Sequence, residues 1–209
     1  MSKVKNPKLA KQGKISYEWA RAHMDILDNT LARLKKSKPL KGVTIAFCLH
    51  ITKETSVLVI GAKELGANVA VCGGNPLTTQ DDIAAFLATQ GIHIYAWNGQ
   101  TNKEYDWCID QVLSHKPSLI CDDGADMNVK VHFDKKFESL NILGSTEETT
   151  AGVTRVRAME NQGKLKYPVI IVNDADTKHM FDNRYGTGQS TIDGYLRAMG
   201  LLFTSKKIV

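Results

Sequence analysis

Thr44-Ile45-Ala46-Phe47-Cys48-Leu49-His50 is an apolar, β-rich run that halts on a histidine, and the more polar stretch Ile51-Thr52-Lys53-Glu54-Thr55 follows at once. Three later runs have the same form. Leu119-Ile120-Cys121 leads into Asp122 and Asp123, Leu140-Asn141-Ile142-Leu143 leads toward Glu147 and Glu148, and Val169-Ile170-Ile171-Val172 leads into Asn173 and Asp174, with Lys178 and Asp182 close behind. Read as strands of an open parallel sheet with helices on both faces, these runs bring their terminal polar residues to one crevice, because ligands of such sheets bind beyond the carboxyl ends of the strands. That crevice is the candidate site.

Outward from these runs, strand and helix signals alternate. Strand 44–49 is followed by a helix over 53–65, a strand over 68–72, a helix over 80–89, a strand over 92–96, a helix over 103–114 and the strand at 119–121. Alternation with short connections predicts right-handed βαβ units, hence an α/β doubly wound parallel sheet. Before it, Trp19, Met24, Leu27, Leu31 and Leu34 recur near helical spacing and predict one helix over 17–36 that packs by this stripe. Thr79 with Asp82, and Thr101 with Glu104, have capping-box spacing, and Gly66, Gly91 and Gly163 fall where helices should end. After 172 the chain reads as polar and irregular, then as a helix over 191–203, and Ile208-Val209 reads as the opening of a further strand.

With 209 residues, 43% apolar and 23% charged, the sequence has the composition of a globular domain, or of one domain plus the start of another. Its apolar stretches fall short of the roughly 20 residues of a membrane span, and residues 1–8 lack the apolar core of a signal peptide, so a cytoplasmic protein without a membrane partner is expected. Cys48, Cys72, Cys108 and Cys121 are widely spaced, which favours reduced thiols and predicts no metal site. The formal charge of +5 comes largely from lysines near the termini and in 35–41, not interleaved with aromatics, so no nucleic-acid partner is expected.

Each polar motif also has a plain structural reading. Gly186-Thr187-Gly188 lacks a preceding strand and a third glycine, and reads as a turn rather than a dinucleotide loop. Asp122-Asp123-Gly124-Ala125-Asp126 lacks the spaced ligands of a calcium loop and reads as a strand-end turn that presents a carboxylate. Glu147-Glu148-Thr149-Thr150 also suits a helix N-terminus, and Lys178 with Asp182 suits an i,i+4 surface pair. Their joint occurrence at strand ends favours a site.

The segments His50-Ile51-Thr52-Lys53-Glu54-Thr55, Gly74-Asn75-Pro76-Leu77-Thr78-Thr79-Gln80-Asp81, Tyr95-Ala96-Trp97, Glu104-Tyr105-Asp106-Trp107-Cys108, Asp122-Asp123-Gly124, Glu147-Glu148-Thr149-Thr150-Ala151-Gly152-Val153 and Phe181-Asp182-Asn183-Arg184-Tyr185-Gly186 together resemble S-adenosylhomocysteine hydrolases, in order over nearly the whole chain. The resemblance implies a Rossmann-like substrate-binding domain over 1–173, a hinge segment over 174–190, and over 191–209 the truncated start of an NAD-binding domain. It implies reversible hydrolysis of S-adenosyl-L-homocysteine to adenosine and L-homocysteine, through oxidation of the ribose by NAD, elimination, addition of water and reduction. The chain alone is then expected to be inactive, and the complete enzyme to be a homotetramer with small-molecule substrates only. A non-catalytic nucleoside-binding homologue is the alternative.

Position by position, the resemblance implies five catalytic residues. Lys178 and Asp182 handle the 3′-hydroxyl, Glu148 the ribose hydroxyls, and Asp123 and His50 serve as base and acid on the C4′ and C5′ side. It also implies that Thr52 and Glu54 face the adenine, and that Thr149, Thr150 and Asn183 contact NAD. The sequence departs from many relatives at Ala151, Ala125 and Thr187, where threonine, glycine and cysteine are common. None of these departures removes a proposed acid or base.

Overall fold

The computed structural model describes residues 2–207. Met1, Ile208 and Val209 lie outside the described residues, and with them the strand expected at the C-terminus. In chain order the elements are β1 (Lys3–Val4), α1 (Ala10–Arg21), α2 (Asp25–Leu34), β2 (Thr44–Leu49), α3 (Lys53–Glu64), β3 (Asn68–Gly73), α4 (Asp81–Thr89), β4 (His93–Ala96) and α5 (Asn102–Leu113). Then follow β5 (Leu119–Asp122), α6 (Asp126–Phe133), β6 (Gly144–Glu147), α7 (Thr150–Asn161) and β7 (Val169–Ile171). The strands form one seven-stranded sheet in the order β1-β4-β3-β2-β5-β6-β7, parallel throughout its ladders. This is the α/β architecture that the alternation of runs predicts.

β2 shows why the chain winds on both faces. Its odd positions Ile45, Phe47 and Leu49 enter a core with Tyr17 of α1, Val57 of α3 and Phe86 of α4. Ala46 and Cys48 enter a second core with Ile109 of α5 and Met127 of α6. A strand buried on both sides must be apolar at every position, so β2 reads as an unbroken run rather than an alternating one. All four cysteines are free thiols.

The helix ends are built locally. Thr101 and Glu104 form a complete capping box at α5, while Gly66, Gly91 and Gly163 end α3, α4 and α7 at φ 104°, 66° and 64°. Gly13 is needed for a close approach: a Cβ there would lie 2.0 Å from the Asp82 carbonyl oxygen of α4.

Four expectations are corrected. The single helix over 17–36 is two helices, with Met24 at φ −122° and ψ 52° between them and Arg21 bonded to Asp28 and to Glu64 of α3 across the break. Trp19 is not in the packing stripe: it is half-exposed and stacks on His23, while Gly13, Tyr17 and Ala20 face inward. The Thr79–Asp82 capping box does not form, because Gln80 is the N-cap and Asp82 accepts from Ser16 Oγ. Finally, the strand expected at 140–143 lies four residues later, as β6, whose Gly144 pairs with Leu119 and Glu147 with Asp122.

Packing divides the chain after Ile170. The segment from Ile171 is helical where an irregular stretch is expected: Asp176–Lys178 (α8), a π-helical stretch His179–Gly186, and Thr187–Met199 (α9), which ends at Gly200 with φ 60°. No helix among the described residues is long and apolar enough to cross a membrane.

Candidate active site

β2 has β3 on one side and β5 on the other, so the order of the sheet reverses between β2 and β5. Connections leave in opposite directions at such a point and open a crevice above the strand ends. His50 follows β2 and Asp123 follows β5. The structure brings them together, with His50 Nε2 3.4 Å from Asp123 Oδ2. His50 Nδ1 lies 2.7 Å from Thr78 Oγ1, so the ring is held from both nitrogens. A histidine paired with a carboxylate can relay a proton, and such bonds are often long before a substrate closes on them. The Asp123 amide donates to the carbonyl of Cys48 at 3.0 Å and to Asp122 Oδ1 at 3.1 Å, which fixes the turn.

Asp122, one residue before, has a different environment. It is fully buried, and burial pushes its carboxyl up to about 7 against the Asn128 backbone N–H, which favours the anion. Its Oδ2 accepts from the Asn128 amide at 2.8 Å and from Asn128 Nδ2 at 3.0 Å, while Asn128 Oδ1 accepts from Tyr167 Oη at 3.0 Å. Asp122 therefore braces α6, and Asp123, just past the end of β5, is the carboxylate that faces His50.

On the neighbouring strand Glu147 is buried and Glu148 half-buried, and the Glu148 amide donates to the Asp122 carbonyl at 3.0 Å. Thr149 is the N-cap of α7 without a side-chain capping bond, and Thr150 is the first residue of that helix, exposed. Thr52 caps α3, its Oγ1 accepting from the Thr55 amide at 3.3 Å. Glu54, in the first turn of α3, pairs with Lys53 at 2.7 Å. Burial raises its carboxyl, but the Lys53 hydrogen bond and charge together with its own backbone N–H outweigh this and hold it below the ordinary range.

Within the segment after Ile170, Lys178 is largely buried and gathers its own set of groups. Its ammonium donates to Asn173 Oδ1 at 2.9 Å and to Asn183 Oδ1 at 2.7 Å, with Asp182 Oδ2 at 3.6 Å. Asn183 Nδ2 donates in turn to Asn173 Oδ1 at 3.0 Å.

Three participants have no role in the sequence reading. Thr78 stands inside one of the quoted segments, but only the fold shows that it reaches His50. Asn173 is noted only as a strand-end residue. Glu147 is expected just past a strand and is instead its last residue, facing inward.

A family model described as S-adenosyl-L-homocysteine hydrolase matches residues 1–142 and 133–205. The adenosylhomocysteinase of Sulfurisphaera tokodaii is 52% identical over 99% of this chain and 49% of its own length. That of Aeropyrum pernix is 49% identical over 99% of this chain and 50% of its own length. The S-inosyl-L-homocysteine hydrolase of Methanocaldococcus jannaschii is 49% identical over 100% and 50%. The chain spans about half the length of these relatives. With matches that run from its first strand to beyond its last helix, the chain belongs to the S-adenosyl-L-homocysteine hydrolase family.

Proposed function

We propose that this chain is the substrate-binding part of an enzyme that reversibly hydrolyses S-adenosyl-L-homocysteine to adenosine and L-homocysteine. The His50–Asp123 pair at 3.4 Å, at the reversal of strand order, is the observation that carries this reading, together with membership of the family. Asp123 takes the C4′ proton of the oxidised nucleoside. His50, oriented by Thr78, gives a proton to the leaving sulfur and takes one from the entering water. Glu148 accepts from the ribose hydroxyls, and Lys178 with Asp182 moves the proton of the 3′-hydroxyl.

NAD is the cofactor of this reading. Thr149 fits a neutral polar part of it, since its hydroxyl stands at a helix N-terminus without a capping bond there. Thr150 and Asn183 complete the contacts assigned to this chain. When bound, NAD accepts hydride from the ribose 3′ carbon, which acidifies the neighbouring C4′ proton.

Relatives named for S-inosyl-L-homocysteine and relatives named for the adenosyl compound are nearly equally similar to this chain, so identity does not select the purine. Glu54 favours adenine. A carboxylate held in its charged form accepts from an exocyclic amine, whereas the hypoxanthine carbonyl at that place offers it no donor. The test is release of homocysteine thiol by the full-length protein with NAD and either thioether. Turnover of the adenosyl compound in preference to the inosyl compound is expected. Preference for the inosyl compound overturns the assignment of Glu54, and no release from either overturns the reaction.

A further inference from the structure

The two acidic doublets, Asp122-Asp123 and Glu147-Glu148, occupy equivalent places on neighbouring parallel strands, with Asp122 opposite Glu147 in the register. In each the first acid is buried and the second stands at the strand end. Asp122 braces the helix that follows it. Glu147 does something else: its Oε1 accepts from the Gly124 amide at 2.8 Å and from the Thr149 amide at 3.1 Å. Gly124 follows Asp123, and Thr149 follows Glu148. One oxygen atom therefore ties together the turns that carry the two carboxylates of the proposed site.

The surrounding fold makes room for this bridge. A Cβ on Gly152, in the first turns of α7, would lie 2.0 Å from Glu147 Oε1 and 2.2 Å from its carboxyl carbon. No real Cβ approaches another atom so closely, so a glycine is required for the carboxyl to lie where it does. Burying a carboxyl costs free energy that an apolar residue would not incur, and burial raises its pKa in spite of the two N–H donors. Packing alone gives no reason for an acid here.

We propose that Glu147 is a positioning residue that sets Asp123 against Glu148, and that Gly152 is the residue that lets it do so. This rests on the functional reading above for the roles of Asp123 and Glu148, but not for the geometry. Displacing a reacting group by about 1 Å can cost about 100-fold in rate. Glutamine keeps the oxygen acceptor and removes the titratable proton, so it should preserve the bridge.

The test compares the full-length protein with its E147Q, E147A and G152A variants, reading backbone amide resonances and turnover of S-adenosyl-L-homocysteine with NAD. In E147A and G152A the Asp123, Gly124, Glu148 and Thr149 resonances should move while those of β3 and α4 stay. At saturating substrate, kcat should then fall about 100-fold in both. E147Q should keep both readouts and the pH profile close to the parent. Were Glu147 merely packed at the strand end, G152A would shift the resonance of Glu147 itself and leave those of Asp123 and Glu148, and kcat at saturating substrate, close to the parent. Should E147A fail to fold, G152A and E147Q still decide. Unmoved Asp123 and Glu148 resonances in G152A would overturn the proposal, as would an E147Q variant as inactive as one lacking Asp123, since Glu147 would then act by titrating. If the parent itself releases no homocysteine, the functional reading fails and the resonances alone judge Glu147.

Discussion

His50 and Lys178 are each oriented by side chains outside the acid–base pair itself, Thr78 for the one and Asn173 with Asn183 for the other. Lys178 places its ammonium among two amide oxygens and the Asp182 carboxylate. In the full-length protein Lys178→Ala should therefore stop oxidation at the ribose 3′ position, and mixing with adenosine and NAD should give no rise in nicotinamide absorbance. A normal rise would remove Lys178 from that step. Thr78 holds His50 in orientation through one hydroxyl. Thr78→Val should reduce kcat and leave nucleoside affinity nearly unchanged, which steady-state kinetics and calorimetry together would show.

His132 makes a pH prediction. It is buried, its Nδ1 lies 2.7 Å from the Asn128 carbonyl, and its Nε2 accepts from the Lys166 amide at 3.0 Å. Those two bonds require the neutral ring with the proton on Nδ1. Burial lowers its pKa, with the Lys166 charge acting the same way and the Asn128 carbonyl opposing. The folded state thus binds its proton less readily than the unfolded chain. The neutral ring contributes stability in full above the ordinary histidine value of about 6.5, and that contribution is lost as pH falls through the lower folded value. His132→Gln can make the same two bonds without titrating, so urea midpoints of parent and variant should diverge between about pH 7 and pH 5, the parent losing more. A constant offset would contradict this.

At the scale of elements, helix ends are the easiest features to perturb cleanly. Thr101→Ala removes the capping box of α5. This should cost about 1 kcal/mol, or a fall of about 2 to 4 °C in Tm by calorimetry. An unchanged Tm would mean that α5 is held by packing alone. The elements legible in the sequence were those whose residues carried their own signal. Ile45 to Leu49 is apolar at every position because both faces are buried, and Thr101 with Glu104 marks a helix start by spacing alone. β6 carries none of these signals: Gly-Ser-Thr-Glu has no apolar side chain, and its inward residues are Ser145 and Glu147. The nearby run 140–143 looks more like a strand, yet Leu143 is exposed. What makes 144–147 a strand is pairing with β5, a long-range contact that no local pattern encodes. The break at Met24 was hidden for a similar reason, since Leu27 and Leu31 continue an apolar period across it.

For the molecule as a whole, the strand-end residues were readable in sequence, but the order of the strands was not. That order puts β2 beside β5 and so makes neighbours of His50 and Asp123, which are 73 positions apart in the chain. The central claim is that Asp123 is the base at this reversal point. Exchange of the C4′ hydrogen tests it most directly: adenosine is incubated with NAD and the full-length protein in deuterated water, and deuterium at C4′ is read by NMR. Asn at 123 keeps the shape but cannot take a proton. The account predicts that the parent incorporates deuterium, and that Asp123→Asn still produces reduced nicotinamide but incorporates none. Exchange at the parental rate in Asp123→Asn, or loss of the oxidation step instead, would contradict it.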